Sequence, residues 1–320
     1  MRGWRAAAVL LAMVASGAWA QDKTVIYCTP TEARPESGLF GSEGSTWQPS
    51  LEAGVWSLKG KGDWAGATCK RLPLAADKVY SAGARIKFRG PGAATVKVDY
   101  FRGDQWIGGT EAGPVKETES WQQAAVVDRR AEYPGADTVA VSVVATVEGE
   151  ASFREIFIAE MPRLENEREN LIKNGRFEIG VGERPTGWNE AKPEGETPKV
   201  VWAADAARTG GLGLRLKGAT TWHVMVNEDF TLDRAKTYTL TGWVRARSGA
   251  GAIKFDFKKH DDWLTDQNAE PMAKADGEWH QLKVVLDPAK SPDANRIAPA
   301  VLALGPNADV DFDDLVLTVK

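Results

Sequence analysis

Few residues in this chain could make or break a covalent bond. Three His and two Cys in 320 residues leave little from which to build a zinc centre or a Cys/His nucleophile. The sequence holds no Gly-x-Ser-x-Gly elbow, His-Glu-x-x-His pair or phosphate loop. Thr209-Gly210-Gly211-Leu212-Gly213 reads as a turn before a strand. Paired carboxylates are the one feasible catalytic device, and among 44 acidic residues no motif singles out a pair. His260-Asp261-Asp262-Trp263 reads as a solvated hairpin turn. The unusual residue is tryptophan, with thirteen copies against five Tyr. A broad, rigid ring beside charged side chains supplies stacking and hydrogen bonding, which is recognition chemistry rather than bond making.

The elements that must position these rings are strands. Tyr238, Leu240, Gly242, Val244 and Ala246 alternate with Thr239, Thr241, Trp243, Arg245 and Arg247. Ile253, Phe255 and Phe257 alternate with Lys254, Asp256 and Lys258. A period of two is the mark of a half-buried strand. The apolar set faces a core, so Trp243 and Arg245 face the other way. If the two strands are neighbours, Trp243, Arg245, Lys254 and Asp256 share one surface, with Trp222 as a second aromatic. The competing reading of Trp243 is that a loop covers it. Trp121 and Trp279 read as structural, while Trp106 and Trp263 are either rim platforms or core plugs.

The chain is also a duplication, and internal repeats govern the whole architecture. Leu58-Lys-Gly60 with Trp64 aligns with Leu216-Lys-Gly218 and Trp222. Lys78-Val-Tyr80 aligns with Lys236-Thr-Tyr238, and Val96-Lys-Val-Asp99 with Ile253-Lys-Phe-Asp256. Trp106 and Trp263 each follow at the same distance, and Glu119-Ser-Trp121 meets Glu278-Trp279. Phe153 and Phe312 lie in matching closing strands. The charged stretch Pro162 to Asn170 separates the copies. The expected layout is a leader at 1–20, a first domain at 21–162, a linker at 163–169 and a second domain at 170–320. Each domain is long enough for its own core. Many short strands with turn residues between them, and no helical stripe, predict an all-β chain of two tandem β-sandwiches.

Residues 1–20 resemble an export signal: Arg2 and Arg5, a short apolar run, then Ala18-Trp19-Ala20. The apolar run is too short to span a bilayer, and no later stretch is apolar enough. The expectation is a secreted or periplasmic protein with no membrane insertion after cleavage. Export permits a disulfide, and Cys28 with Cys69 is the only pair available. Two free, buried thiols are the alternative. A formal charge of −4 excludes the basic character of a nucleic-acid binder.

Asn170-Leu-Ile-Lys-Asn174-Gly175-Arg-Phe177-Glu178, followed by Pro185-Thr-Gly187-Trp188, resembles the opening strand of carbohydrate-binding modules of the family 4, 9, 16 and 22 type. Val310-Asp-Phe312-Asp313-Asp314-Leu-Val-Leu317 resembles their closing strand. The resemblance covers the second copy; the first is a degenerate version, with Arg85 where Trp243 stands and Arg154-Glu155 where Asp313-Asp314 stands. It implies a galactose-binding-like jelly roll that binds a polysaccharide or glycan without catalysis, and no organic cofactor. The site residues it suggests are Trp243, Arg245, Lys254, Asp256 and Trp222. It also implies a structural Ca²⁺ in the second domain on Glu178 and Asp313, hard oxygen ligands of the right kind. A separate glycan-active enzyme is a partner that such a module serves. Two other classes compete. One is a structural or protein-interaction role in the envelope, which a buried Trp243 would favour. The other is a lyase or hydrolase on the same fold.

Overall fold

The computed structural model describes residues 24–27, 39–75, 77–127, 133–163 and 169–320. The expected leader and Cys28 lie outside the described residues, as does most of the expected linker. Among the described residues no helix is long and apolar enough to cross a membrane.

The chain is all-β and forms two tandem sandwiches. In the second, the strands Tyr238–Lys259 and Arg296–Val319 run antiparallel along almost their whole length. Each is long enough to serve both layers. Residues 250–258 of the first pair with 296–304 of the second, and this half-ladder lies between Trp222–Val226 and Asp262–Asn268. Residues 238–248 pair with 309–319, between Gly213–Ala219 and His280–Val285. The crossover falls at Ser248, where the register slips twice. Gly249 sits there with φ +73°, and a Cβ on it would lie 2.4 Å from the Leu304 carbonyl oxygen. Only glycine fits such a turn against a neighbouring backbone.

The inner faces of the two layers bury Ile253, Phe255 and Phe257 against Leu240, Val244, Val310 and Phe312. Complete burial of each Phe contributes about 2–3 kcal/mol. The first sandwich repeats the plan, with Thr138–Pro162 as its long shared strand. Val96, Val98 and Tyr100 fill its core beside Leu58, Ile86 and Phe153.

The two units are joined by more than chain. Gly180–Gly182 of the second adds to the edge strand Thr118–Val127 of the first. Ala125, Phe157 and Ala159 of the first unit belong to the same apolar cluster as Phe177 and Leu212 of the second.

Candidate functional site

Alternation on the strand Tyr238–Lys259 sends Phe255 and Phe257 into the core and Lys254, Asp256 and Lys258 to the outer face of their layer. There they line an open cleft of ≈ 1180 Å³. Its floor is an ion triad. The Lys254 ammonium lies 2.7 Å from Asp256 Oδ1 and 3.0 Å from Asp266 Oδ2, the latter on the neighbouring strand. Lys254 and Asp256 are both buried beneath the cleft surface. The Trp263 indole N–H donates to Asp256 Oδ1 at 3.3 Å. That bond fixes a ring that is otherwise 58% exposed. Trp222, 37% exposed, marks the other end. Val224 and Leu302 give the floor an apolar patch between the two rings.

The cleft wall carries more charge. Asp229 pairs with Lys258 at 3.3 Å and with the Arg296 guanidinium. The His223 ring is fully buried behind Trp222, and its Nε2 lies 2.8 Å from Glu190 Oε1. Burial pushes the His223 pKa down, against the pull of Glu190. Burial would raise Glu190, but hydrogen bonds from His223 and Arg184 outweigh it and hold the carboxyl below its ordinary value. Six carboxylates and three cationic side chains line the cleft altogether.

Of the residues expected to share a surface, Trp222, Lys254 and Asp256 come together. Trp243 and Arg245 do not join them. The two stretches are one continuous strand rather than neighbours, and its crossover at Ser248 puts them on opposite layers. The Trp243 ring is half-buried and capped by the Arg208 guanidinium, 3.7 Å from the ring centroid. Arg245 is bound to Asp311 through Nε at 2.8 Å and Nη2 at 2.6 Å, within a network that also holds Arg215 and Arg247. Both side chains on that face are engaged by neighbours of their own layer. Conversely, Trp263 is a rim platform, and Asp266 and Arg296 complete the cleft. The hairpin register was the missing signal: a Trp seven residues after an Asp, across a tight turn, lands beside it.

Glu178, Asp313 and Asp314 form a buried acidic group on the opposite layer. Asp313 Oδ2 accepts the backbone N–H groups of Arg208 and Thr209 at 2.7 and 2.9 Å. Asp314 pairs with Arg208 at 2.9 Å and lies 3.7 Å from Arg176. Glu178 accepts from the Leu212 N–H at 3.0 Å and from the Ser81 hydroxyl of the first unit at 2.5 Å. Burial pushes the Asp313 carboxyl well up, and the charges of Asp314 and Glu178 push it further. A cation between Glu178 and Asp313 would relieve that charge, so their chemistry fits a hard ion. Among the described residues, no cluster of three or more His, Cys, Asp or Glu stands ready to hold a metal. Cys69 is buried in the first core.

Residues 169–301 match the model of the carbohydrate binding domain family. The match covers most of the second sandwich, including all of the cleft lining but Leu302 and Leu304, and leaves the first outside it. The chain is similar to the CBM22-1–CBM22-2 tandem of Paenibacillus barcinonensis Xyn10C, at 14% identity over 95% of this chain and 99% of that one, with a TM-score of 0.36. It is also similar to the Family 16 Carbohydrate Binding Module-2, at 22% identity over 47% of this chain and 99% of that one, with a TM-score of 0.34. A third similar structure is TmCBM61 in complex with β-1,4-galactotriose, at 18% identity over 47% and 99%, with a TM-score of 0.32. No curated protein matches the chain.

Proposed function

We propose that the second unit binds an extended, uncharged polysaccharide in the cleft between Trp222 and Trp263, and that it does so without cleaving it. The carrying observation is the pairing of two exposed indole rings with a rigid polar floor of Lys254, Asp256 and Asp266. Pyranose rings present C–H faces that stack on indole and hydroxyl edges that hydrogen-bond to such groups. The excess of carboxylates along the wall opposes a polyuronate. Trp222 and Trp263 stand three strands and eight residues apart, a diagonal on the order of 30 Å before curvature. That span suits the interior of a chain better than one terminal sugar.

Several features support a binding rather than a hydrolytic role. Asp256 and Asp266 are both tied to Lys254, and Asp229 to Lys258 and Arg296. A glycosidase acid must release its proton to a leaving group, which such fixed ion pairs do not favour. The capping of Trp243 favours a structural role for its own face only, since the cleft opens on the other layer. The proposal extends to a structural Ca²⁺ on Glu178 and Asp313, supported by the unbalanced charge there. It extends to export as well, supported by the leader-like residues 1–20, and to service for a separate glycan-active enzyme.

The test is retardation of the full chain in native gels cast with soluble xylan, mixed-linkage β-glucan, β-1,4-galactan or polygalacturonate. Retardation by at least one neutral glycan and none by polygalacturonate is expected. Retardation by polygalacturonate alone, or release of reducing ends, overturns the reading.

A further inference from the structure

We propose that the first unit carries a second glycan-binding face, built from Trp64, Lys97, Asp99 and Trp106. This inference rests on the reading of the second-unit cleft as a glycan site. The family match does not reach the first unit, and the loss of a Trp at Arg85 makes that unit look degenerate. Arg85, however, aligns with Trp243, which is not in the cleft at all. The comparison that matters is with the residues that are.

Strand register makes that comparison residue by residue. In the second unit Trp222 stands opposite Leu304, Lys254 opposite Ala300, Asp256 opposite Ala298 and Trp263 opposite Lys258. In the first, Trp64 stands opposite Thr146, Lys97 opposite Ser142, Asp99 opposite Ala140 and Trp106 opposite Phe101. The offsets along the central strand are the same, and both hairpins carry their irregularity one residue before the Trp partner. The bonding repeats too. The Trp106 indole N–H donates to Asp99 Oδ1 at 3.0 Å, and Lys97 Nζ lies 3.7 Å from the same oxygen. Asp99 is buried, whereas Trp106 is 54% and Trp64 38% exposed. An exposed ring anchored by its own N–H to a buried carboxylate needs a reason, and the repeat supplies one.

The differences say what this face would take. Gly109 stands opposite Asp99, where Asp266 stands opposite Asp256. A Cβ on Gly109 would lie 2.2 Å from Asp99 Oδ1, so the close approach requires glycine. The carboxylate has moved by two residues: Glu111 stands opposite Lys97, where Asn268 stands opposite Lys254. Beneath it, Thr68 and Ser142 share a hydrogen bond of 2.9 Å at positions that are Val226 and Ala300 in the second unit. The ligand class is again an uncharged, hydroxyl-rich glycan, held by two ring platforms and the carboxylates of Asp99 and Glu111.

The experiment is calorimetric titration of the full chain with short neutral oligosaccharides, xylohexaose, cellohexaose and β-1,4-galactohexaose, one at a time. The variants are W64A/W106A and W222A/W263A. All four rings are substantially exposed, and melting curves confirm the fold. Two sites per chain are expected in the wild type and one in each double variant. One site in the wild type, unchanged by W64A/W106A and abolished by W222A/W263A, overturns the second face and leaves the cleft standing. One site lost only with W64A/W106A leaves the face standing and overturns the cleft. Wild-type chain that binds none of the three overturns both. Should W64A/W106A unfold, the conservative W106F decides: at least threefold weaker binding at one of two sites is expected, and no change at either site overturns the face.

Discussion

Replacement of Trp263 by Ala removes one ring from the cleft and almost nothing from the core. The side chain is 58% exposed. A Trp presents up to about 250 Å², so about 145 Å² of this one faces solvent. A sugar ring stacked on one face covers roughly half of that, about 70 Å², which at about 25 cal/mol per Å² gives about 1.8 kcal/mol. That corresponds to about a twentyfold loss of affinity. The cost to folding is at least as large: about 105 Å² of the side chain is buried and contributes about 2.6 kcal/mol at the same coefficient, and the 3.3 Å bond to Asp256 adds about 1 kcal/mol. Titration calorimetry with the neutral oligosaccharide that binds best reads the first number, and thermal unfolding reads the second. W263F keeps one six-membered ring for stacking and loses the N–H together with the rest of the indole, so it should fall between wild type and W263A. A folded W263A whose cleft affinity drops less than twofold would refute the stacking argument, and with it the placement of the site.

Trp243→Ala should leave glycan affinity unchanged while lowering stability by about 1–2 kcal/mol. The loss is of the Arg208 stack at 3.7 Å, read by denaturant unfolding. Lys254→Met should weaken binding at least tenfold, because Asp256 and Asp266 lose their shared cation and repel each other. Its affinity should recover partly in D266N/K254M, measured by the same titration. Addition of Ca²⁺ to EDTA-treated protein should raise the melting temperature in the wild type and not in Asp313→Asn. Acidification should destabilise the fold through His223. Its folded pKa is depressed by burial, so its contribution is complete above the unfolded value of about 6.5 and is lost as pH falls below it. Denaturant midpoints between pH 7.5 and 5.5 should show this slope, and His223→Gln should flatten it.

Fold and site were legible to different depths. The period of two around Tyr238 and Ile253 announced strands, and the ordered repeat of Leu-Lys-Gly, Lys-x-Tyr and Asp-to-Trp spacings announced two similar sandwiches. Alternation also gave the correct outward side for Lys254, Asp256 and Trp243, each relative to its own layer. What alternation cannot encode is which layer a stretch belongs to. A single strand that bends at Gly249 changes layers, and its inward set passes from even numbers (Leu240, Val244) to odd ones (Ile253, Phe255); read as two separate strands, Trp243 and Lys254 look like neighbours while they face opposite ways. The capping of Trp243 was equally hidden, since Arg208 lies 35 residues away and reaches the ring only through the loop before Gly213. Trp263 was ambiguous for a different reason. Its role depends on one hydrogen bond across a turn, and sequence shows the spacing without the bond.

The junction between the units gives this arrangement a consequence for binding. Glu178 opens the second sandwich, yet one of its carboxylate oxygens accepts from Ser81 of the first. Gly180–Gly182 extends the first unit's sheet, and Gly211 packs so closely on Phe157 that a Cβ there would lie 2.2 Å from the ring. A tether would let each unit sample many orientations. Shared strand pairing and a buried polar link instead hold the second unit's cleft at one attitude to the first unit's face. If both bind, the second event on one polysaccharide is intramolecular, with an effective concentration set by this fixed geometry rather than by a flexible linker. Ser81→Ile offers a direct check, because it removes the hydroxyl from Glu178 and crowds the seam without touching either binding surface. Affinity for hexasaccharides should hold within twofold. Affinity for long polysaccharide should fall at least fivefold if the fixed attitude matters, and an equal affinity for both ligands would show that the units bind independently.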